Sequence, residues 1–337
     1  MVAVADRRTR PVSANWVANW VANWVVAPAR WGGAAPTGRR EMGGGMGATT
    51  ASRTCRRRQA PLRGHLGPPQ GWSYTMVETA PGVCAAFVVA AEGYDRLMGR
   101  YLSSLGPAFA DAAGITAGQR VVDVGCGPGG LTGELVRRCG AEAVAAIDPS
   151  PPFVEACRTR HPGVDVRIGV AERLPFPDAD FDAALACLVV GFMSDAHAGV
   201  LELTRVTKRG GIVAACFWDA AQMPAIQLFW RAAATVDSAL GGEVARLGSR
   251  EGDLSALLTN SDLRVVEETA ITARAQYADF ADWWSPIAQG VGPAGSYYLL
   301  LDDERRSAVR GACEQLLGHL DSSFVLEGRA WCAVGTK

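Results

Sequence analysis

A glycine-rich turn at residues 125–130 carries the clearest chemical signal in this sequence. Gly125, Gly127 and Gly129 follow the mainly apolar run at 121–124. Glycines in such a turn let the backbone pass close to a ligand, and the N–H groups that open the next helix are free to bind its polar groups. Asp148 follows eighteen residues after Gly130. Its carboxylate is placed to accept hydrogen bonds from both hydroxyls of a ribose.

Two classes of ligand compete for this turn. The same residues read Gly125-x-Gly127-x-x-Gly130, which is the dinucleotide fingerprint and predicts an NAD(P)-dependent oxidoreductase. Asp123, two residues before the first glycine, instead favours a ligand that carries an ammonium, because its charge would repel a pyrophosphate. The chain has only two lysines, neither with a Tyr four residues before it, so the Tyr-x-x-x-Lys pair of short-chain hydride-transfer enzymes is absent. A non-catalytic scaffold is a further alternative. It is disfavoured because a scaffold does not need both polar ends of a ligand satisfied.

Composition limits the partners and the compartment. The nine cysteines are scattered and never spaced as Cys-x-x-Cys, so we expect neither a disulfide framework nor a bound metal, and a reducing cytoplasm as the location. The formal net charge of −1 predicts no bulk attraction to nucleic acid or anionic lipid. No run of eighteen apolar residues occurs, so we expect no membrane span.

The first 75 residues differ from the rest. They hold eleven Arg against two acidic residues, whereas the remainder holds 22 basic and 32 acidic residues. A tandem Ala-Asn-Trp repeat at 14–24 has a period too short for a solenoid. We expect residues 1–75 to be a disordered or non-native basic extension. An export signal around Arg7-Arg8 and a nucleic-acid-binding tail around Arg56-Arg57-Arg58 are the alternatives.

Apolar strand-like runs alternate with helical stripes in the body of the chain. Strands are expected at 121–124, 143–147, 164–168, 181–190 and 212–217, with helices between them. Such alternation predicts an α/β fold with a doubly wound, Rossmann-like sheet covered by helices on both faces. Residues 76–118 are expected to form an N-terminal helical cap and 119–220 the ligand-binding core. Residues 221–337 are expected to complete the sheet on the substrate side, with helices near 224–240, 252–259 and 302–319, strands near 263–272 and 331–334, and an aromatic segment at 277–288.

Four segments in fixed order resemble one family. They are Val-Val-Asp-Val-Gly-Cys-Gly-Pro-Gly at 121–129, Ala-Ile-Asp-Pro-Ser at 146–150, Ala-Glu-Arg-Leu-Pro-Phe-Pro-Asp at 171–178 and Arg-Val-Thr-Lys-Arg-Gly-Gly at 205–211. The family is the type 11 methyltransferases, class I enzymes akin to the ubiquinone and menaquinone C-methyltransferases, and the match spans roughly 90–220.

The resemblance implies a seven-stranded sheet with an antiparallel last strand and S-adenosyl-L-methionine as the cofactor. It implies that Asp123 with the glycines holds the methionyl end and that Asp148 holds the ribose. It further implies that Ala171 and Glu172 flank the adenine and that Leu188 lines the floor beside the sulfonium.

The acceptor is expected to be a small organic molecule, O- or C-methylated. The strand at 181–190 is not followed by Asn/Asp-Pro-Pro-aromatic, the signature for methylating amines of DNA bases, so we expect no nucleic acid partner. His197 is the candidate general base, with a surface histidine as the alternative. Tyr94, Trp283 and Trp284 are the candidate acceptor-binding residues. Adjacent tryptophans on a helix point about 100° apart, so we expect one of them to leave the core and face an aromatic or apolar acceptor. The alternative is that both pack between the helix and the sheet edge.

Overall fold

The computed structural model describes residues 91–237, 246–318 and 321–337. The predicted extension at 1–75 and the first part of the predicted cap, residues 76–90, lie outside the described residues. Within the described ranges, no helix combines the length and the apolar character needed to cross a bilayer.

Seven strands form one sheet. They are β1 (Val121–Val124), β2 (Val144–Asp148), β3 (Asp165–Ile168), β4 (Phe181–Cys187), β5 (Thr207–Trp218), β6 (Arg264–Tyr277) and β7 (Phe324–Thr336). The strand order is β3-β2-β1-β4-β5-β7-β6. Strands β1 to β5 pair in parallel, and β7 runs antiparallel to both of its neighbours. The predicted seven-stranded, doubly wound sheet with an antiparallel last strand is confirmed.

Helices cover both faces of this sheet. They are α1 (Ala91–Tyr94), α2 (Arg100–Ala112), α3 (Gly130–Cys139), α4 (Pro151–Arg160), α5 (Ala196–Val206), α6 (Pro224–Val236), α7 (Asp253–Thr259), α8 (Phe280–Ala288), α9 (Gly292–Leu300) and α10 (Asp303–Leu317). A π-helical turn at Asp95–Gly99 joins α1 to α2. Asp195 caps α5 by accepting the N–H of Ala198 at 3.0 Å, which fixes where that helix begins.

The two faces of the sheet bury separate apolar layers. Alternate residues of a strand point to opposite faces, and here Val121 joins one layer whereas Val122 joins the other. Strand β1 is buried at all four positions. A central parallel strand covered on both faces reads in this way as a continuous apolar run, which is why the sequence signal for it was strong.

The C-terminal third contains longer strands than its sequence pattern predicts. Strands β6 and β7 pair from Arg264–Thr336 to Tyr277–Phe324, so they form one extended antiparallel ribbon at the edge of the sheet. The sequence pattern predicts only a part of β7 that pairs with β5. Helix α9 was not predicted. It begins at Gly292-Pro293, and Pro is favourable at the first position of a helix.

Candidate functional site

The turn after β1 adopts backbone conformations that suit glycine. Gly125, Gly127 and Gly129 have φ of 75°, 54° and 100°, in the left-handed region that L residues avoid. A Cβ on Gly125 would lie 2.5 Å from a methyl carbon of Val189, so the turn also packs tightly against the loop after β4. Among the described residues, apart from its chain neighbours, the only atom within 4 Å of a Cβ on Gly127 would be a ring carbon of Tyr94, at 3.9 Å. The face of the turn at Gly127 is therefore left accessible to a ligand.

Asp148 ends β2 beside this turn. Its Oδ2 accepts the backbone N–H of Gly127 at 2.9 Å, and its Oδ1 accepts the N–H of Ser150 at 2.8 Å. Burial raises the pKa of Asp148 to about 6, and these two amide hydrogen bonds oppose that rise. Each carboxylate oxygen keeps one acceptor position. The side chain therefore has the capacity to accept two further hydroxyl groups.

Asp123 lies inside β1 and is fully buried. Its Oδ2 accepts the hydroxyl of Thr132 at 2.7 Å, while its Oδ1 has no hydrogen-bond partner among the described residues. Burial raises the pKa of Asp123 to about 7. Leaving a buried carboxylate oxygen unsatisfied costs about 1–3 kcal/mol or more. A ligand group that donates hydrogen bonds, such as an ammonium, would remove this cost.

Tyr94 connects the turn to the first helices. It ends α1, its ring packs on that of Phe153 with centroids 5.3 Å apart, and it also lines the large cavity described below. Burial raises the pKa of Tyr94 well above its ordinary value, so its hydroxyl stays protonated. Contact of Tyr94 with an acceptor stays a prediction.

Leu188 lies on the other side of the site, and its own backbone is strained. It follows β4 with φ of 60°, although it is not a glycine, and its N–H donates to the carbonyl of Cys216 at 2.9 Å. A non-glycine residue in the left-handed region costs of the order of 1–3 kcal/mol and is found mainly at functional sites. Leu188 lines the cavity, and its place beside the sulfonium stays a prediction.

Ala171 and Glu172 follow β3 on a turn. Ala171 is buried in the second apolar layer. The carboxylate of Glu172 accepts the N–H groups of Ser194 and Asp195 at 2.7 and 3.1 Å, so it holds the loop that precedes α5. Contact of Ala171 and Glu172 with an adenine ring stays a prediction.

A cavity of about 540 Å³ opens beside Tyr94 and Leu188. The wall of this cavity is mainly apolar and aromatic. It includes residues from the end of β5 and from α6. The residues that define this apolar cavity include Tyr94, Leu97, Met98, Leu188, Phe192, Phe217, Trp218, Asp219, Met223, Trp230, Ile287 and Val291. Its size and character suit a small organic molecule.

The expectation that one of Trp283 and Trp284 leaves the core is wrong, and the alternative that both are packed holds. Trp283 is 0% and Trp284 5% exposed, and neither lines the cavity. The rings of Trp284 and Tyr298 pack edge to face with centroids 5.0 Å apart. Helix α9, which the sequence pattern does not predict, therefore covers the face of α8 that carries Trp284. Both tryptophans belong to the core on that face of the sheet.

His197 also lies away from the cavity. It occupies the first turn of α5, is exposed, and its Nδ1 lies 3.2 Å from the hydroxyl of Ser261. The described lining of the cavity does not include it. The structure therefore gives the candidate base no contact with the proposed acceptor site, because α5 begins only after the turn that leads away from β4.

Comparison with known proteins identifies the domain. Residues 122–215 match the methyltransferase domain family. Residues 122–215 are therefore a methyltransferase domain, which implies S-adenosyl-L-methionine as the cofactor. The resemblance found in the sequence is confirmed.

Individual relatives resemble this chain over part of their length. A malonyl-[acyl-carrier protein] O-methyltransferase of Serratia marcescens is 33% identical, over 39% of this chain and 50% of that protein. An uncharacterised protein of Mycobacterium tuberculosis is 28% identical, over 64% of this chain and 82% of the relative. The YcgJ protein of Bacillus subtilis, a solved structure, has a TM-score of 0.45 at 21% identity, over 70% of this chain and 98% of that chain. The chain thus spans about half the length of the curated methyltransferase it matches.

Proposed function

We propose that this protein transfers a methyl group from S-adenosyl-L-methionine to a small, apolar or aromatic organic acceptor. The observation that carries this proposal is the buried Oδ1 of Asp123, which lacks a partner among the described residues at the ligand-binding end of the parallel strands. Ligands of open α/β sheets bind outside the carboxyl ends of the strands. An amino-acid ammonium would satisfy this oxygen, whereas a pyrophosphate would meet a repulsive charge.

Each part of the cofactor has a group in this chain to hold it. Asp123 and the glycine turn would hold the methionyl end, and the open acceptor positions of Asp148 would hold the ribose hydroxyls. When bound, the cofactor supplies a methyl group activated by a sulfonium. Leu188 and Tyr94 line the cavity from the side of the turn, so they would exclude water there and orient the acceptor.

The apolar cavity defines the class of acceptor. With the donor already activated, positioning and desolvation can supply most of the rate enhancement. A wall of residues such as Met98, Phe217 and Trp230 binds an apolar or aromatic body and keeps water out. O-methylation and C-methylation both fit this environment, and a base is needed only for a hydroxyl or an acidic carbon.

Two other functions compete with this one. An NAD(P)-dependent oxidoreductase would place the pyrophosphate at the helix N-terminus next to Asp123, against its charge. A non-catalytic scaffold would not need an apolar cavity beside the cofactor turn. Both alternatives predict that no methyl group is transferred.

The proposed function is tested by following a labelled methyl group. The full chain is incubated with methyl-tritiated S-adenosyl-L-methionine and an organic-solvent extract of cells of the source organism. We expect label in the organic phase that depends on the wild-type protein and is absent with Gly127→Val. A protein that binds the cofactor but labels no organic-soluble compound would contradict the proposed acceptor class.

A further inference from the structure

We propose that Asp219 binds a neutral hydroxyl group of the acceptor, so that the acceptor is an apolar compound carrying a hydroxyl. This inference rests on the proposed function, because it concerns the second substrate of the same site. Asp219 follows β5 directly and lines the apolar cavity together with Leu188. Its side chain is only 4% exposed, so its carboxylate is a buried charge in the wall of that cavity.

The carboxylate of Asp219 is fixed and keeps acceptor capacity. Its Oδ1 accepts the N–H of Ala221 at 2.8 Å, and its Oδ2 accepts the Nε–H of Arg329 at 2.7 Å. The Nη2 of Arg329 also contacts Oδ2. A carboxylate offers about four acceptor positions, two on each oxygen. These contacts fill three of them, and the remaining position belongs to Oδ1.

The charge of this carboxylate is already compensated. Arg329 forms an ion pair with it, and the guanidinium lies over the ring of Trp331 with 4.5 Å to the centroid. A second cation in the same apolar surroundings would leave one positive charge without a counter-ion, which is costly in a desolvated site. A neutral O–H donor gains a charge-assisted hydrogen bond without that cost. The geometry thus selects a hydroxyl over an ammonium.

The other polar side chains of the wall are less suited to this task. Gln227 donates to the carbonyl of Ala220 at 2.5 Å, and the hydroxyl of Ser249 donates to the carbonyl of Arg246 at 2.6 Å. Arg231 and Arg246 offer only donors. Within the described lining, Asp219 is the one acidic side chain, and therefore the one charged hydrogen-bond acceptor.

Two probes of the same shape test the inference. The full chain is first saturated with S-adenosylhomocysteine, which cannot donate a methyl group, and the heat of that step is recorded. It is then titrated with 2-naphthol or with 2-methylnaphthalene, in which a methyl group replaces the hydroxyl. We expect 2-naphthol to bind about tenfold tighter or more, the effect of one hydrogen bond to a charged group.

Substitutions assign this preference to Asp219. Asp219→Leu should bring the affinity ratio of the two probes close to one, and Asp219→Asn should lower it by about threefold or more, because a neutral acceptor forms a weaker hydrogen bond. Asp303→Asn is the matched control, since Asp303 is fully exposed in α10 and should leave the ratio unchanged. A substitution that only loosens the packing of the cavity weakens the binding of both probes alike, so it does not change the ratio of their affinities.

Several results would overturn the inference. They are a wild-type ratio close to one, a ratio that survives the Asp219 substitutions, and tighter binding of the cationic 2-naphthylmethylamine than of 2-naphthol. If Asp219→Leu does not fold, the affinity ratios of Asp219→Asn and of the wild type still test the inference. Absence of heat in the S-adenosylhomocysteine step would instead refute the proposed function, and this inference with it.

Discussion

The backbone N–H of Gly127 donates to the carboxylate of Asp148 at 2.9 Å, so the residue that ends β2 also holds the turn that follows β1. The two features that carry the sequence signal, the glycines and the acidic residue after the second strand, are thus in direct contact. One substitution at Asp148 should affect both the ribose contact and the shape of the turn.

Asp148→Ala should weaken S-adenosylhomocysteine binding by about 1.5–3 kcal/mol, roughly ten- to more than a hundredfold, because it removes hydrogen bonds to a charged group. Isothermal titration calorimetry measures the change. Asp165→Ala is the control, since Asp165 begins β3 and pairs with Arg167 on the surface. Equal affinities for the wild type and Asp148→Ala would show that this carboxylate does not touch the ligand.

Gly127→Val should abolish cofactor binding, because its side chain would fill the space where the ligand passes the backbone. Backbone strain is controlled by Gly140→Val. Gly140 has φ of 85° against 54° for Gly127, and apart from its chain neighbours no described residue comes within 4 Å of its Cβ position. Both variants should lose stability, measured by thermal melting, but only Gly127→Val should lose affinity. Cofactor binding by Gly127→Val at wild-type strength would contradict the assignment of the turn.

The cofactor half of the site could be predicted from the sequence because its parts are local. Asp123, the glycines and Asp148 stand at the ends of two consecutive strands, and strand order alone brings them together. Thr132, which orients Asp123, was not predicted, because it looks like any polar residue of an amphipathic helix. The one feature that could have identified Thr132 is its position, nine residues after Asp123 and in the first turn of α3.

The stability of the ligand-free protein should depend on the ionisation of Asp123. Its pKa of about 7 in the folded state compares with about 4 in an unfolded chain. Between these values the folded state binds more protons, so the free energy of unfolding falls as pH rises through this window. At about 1.4 kcal/mol per pH unit, the loss reaches about 4 kcal/mol near pH 7.

Asp123→Asn removes this titration. Urea unfolding at several pH values should show that the stability of the variant relative to the wild type improves steadily from about pH 4 to pH 7. A difference that does not change with pH would contradict the buried, half-satisfied state of the carboxylate.

Trp283→Ala and Trp284→Ala should each cost about 3–5 kcal/mol of stability, because both side chains fill the core. Denaturant titration measures the cost. Leu299→Ala is the neighbouring control, since Leu299 is 48% exposed in α9 and should cost far less. A tryptophan variant that keeps wild-type stability but loses methyl transfer would instead place that tryptophan at the acceptor site.

The acceptor half of the site depends on packing that sequence patterns do not report. Helix α9 carries small residues and a Pro at its start, so it was not recognised, and without it one face of α8 looked exposed. Asp219 reads in the sequence as an ordinary residue after a strand. Its proposed role depends on the ion pair with Arg329. That residue is 110 positions away on β7, and only the folded sheet brings the two together.

The identity of the ligand tests the central claim most directly. S-adenosylhomocysteine and NADPH are titrated separately into the ligand-free protein, and into Asp123→Asn, by calorimetry. We predict that the wild type binds S-adenosylhomocysteine and gives no heat with NADPH. We also predict that Asp123→Asn binds S-adenosylhomocysteine about tenfold more weakly, because the ammonium loses its charged partner. Binding of NADPH without binding of S-adenosylhomocysteine would contradict the account.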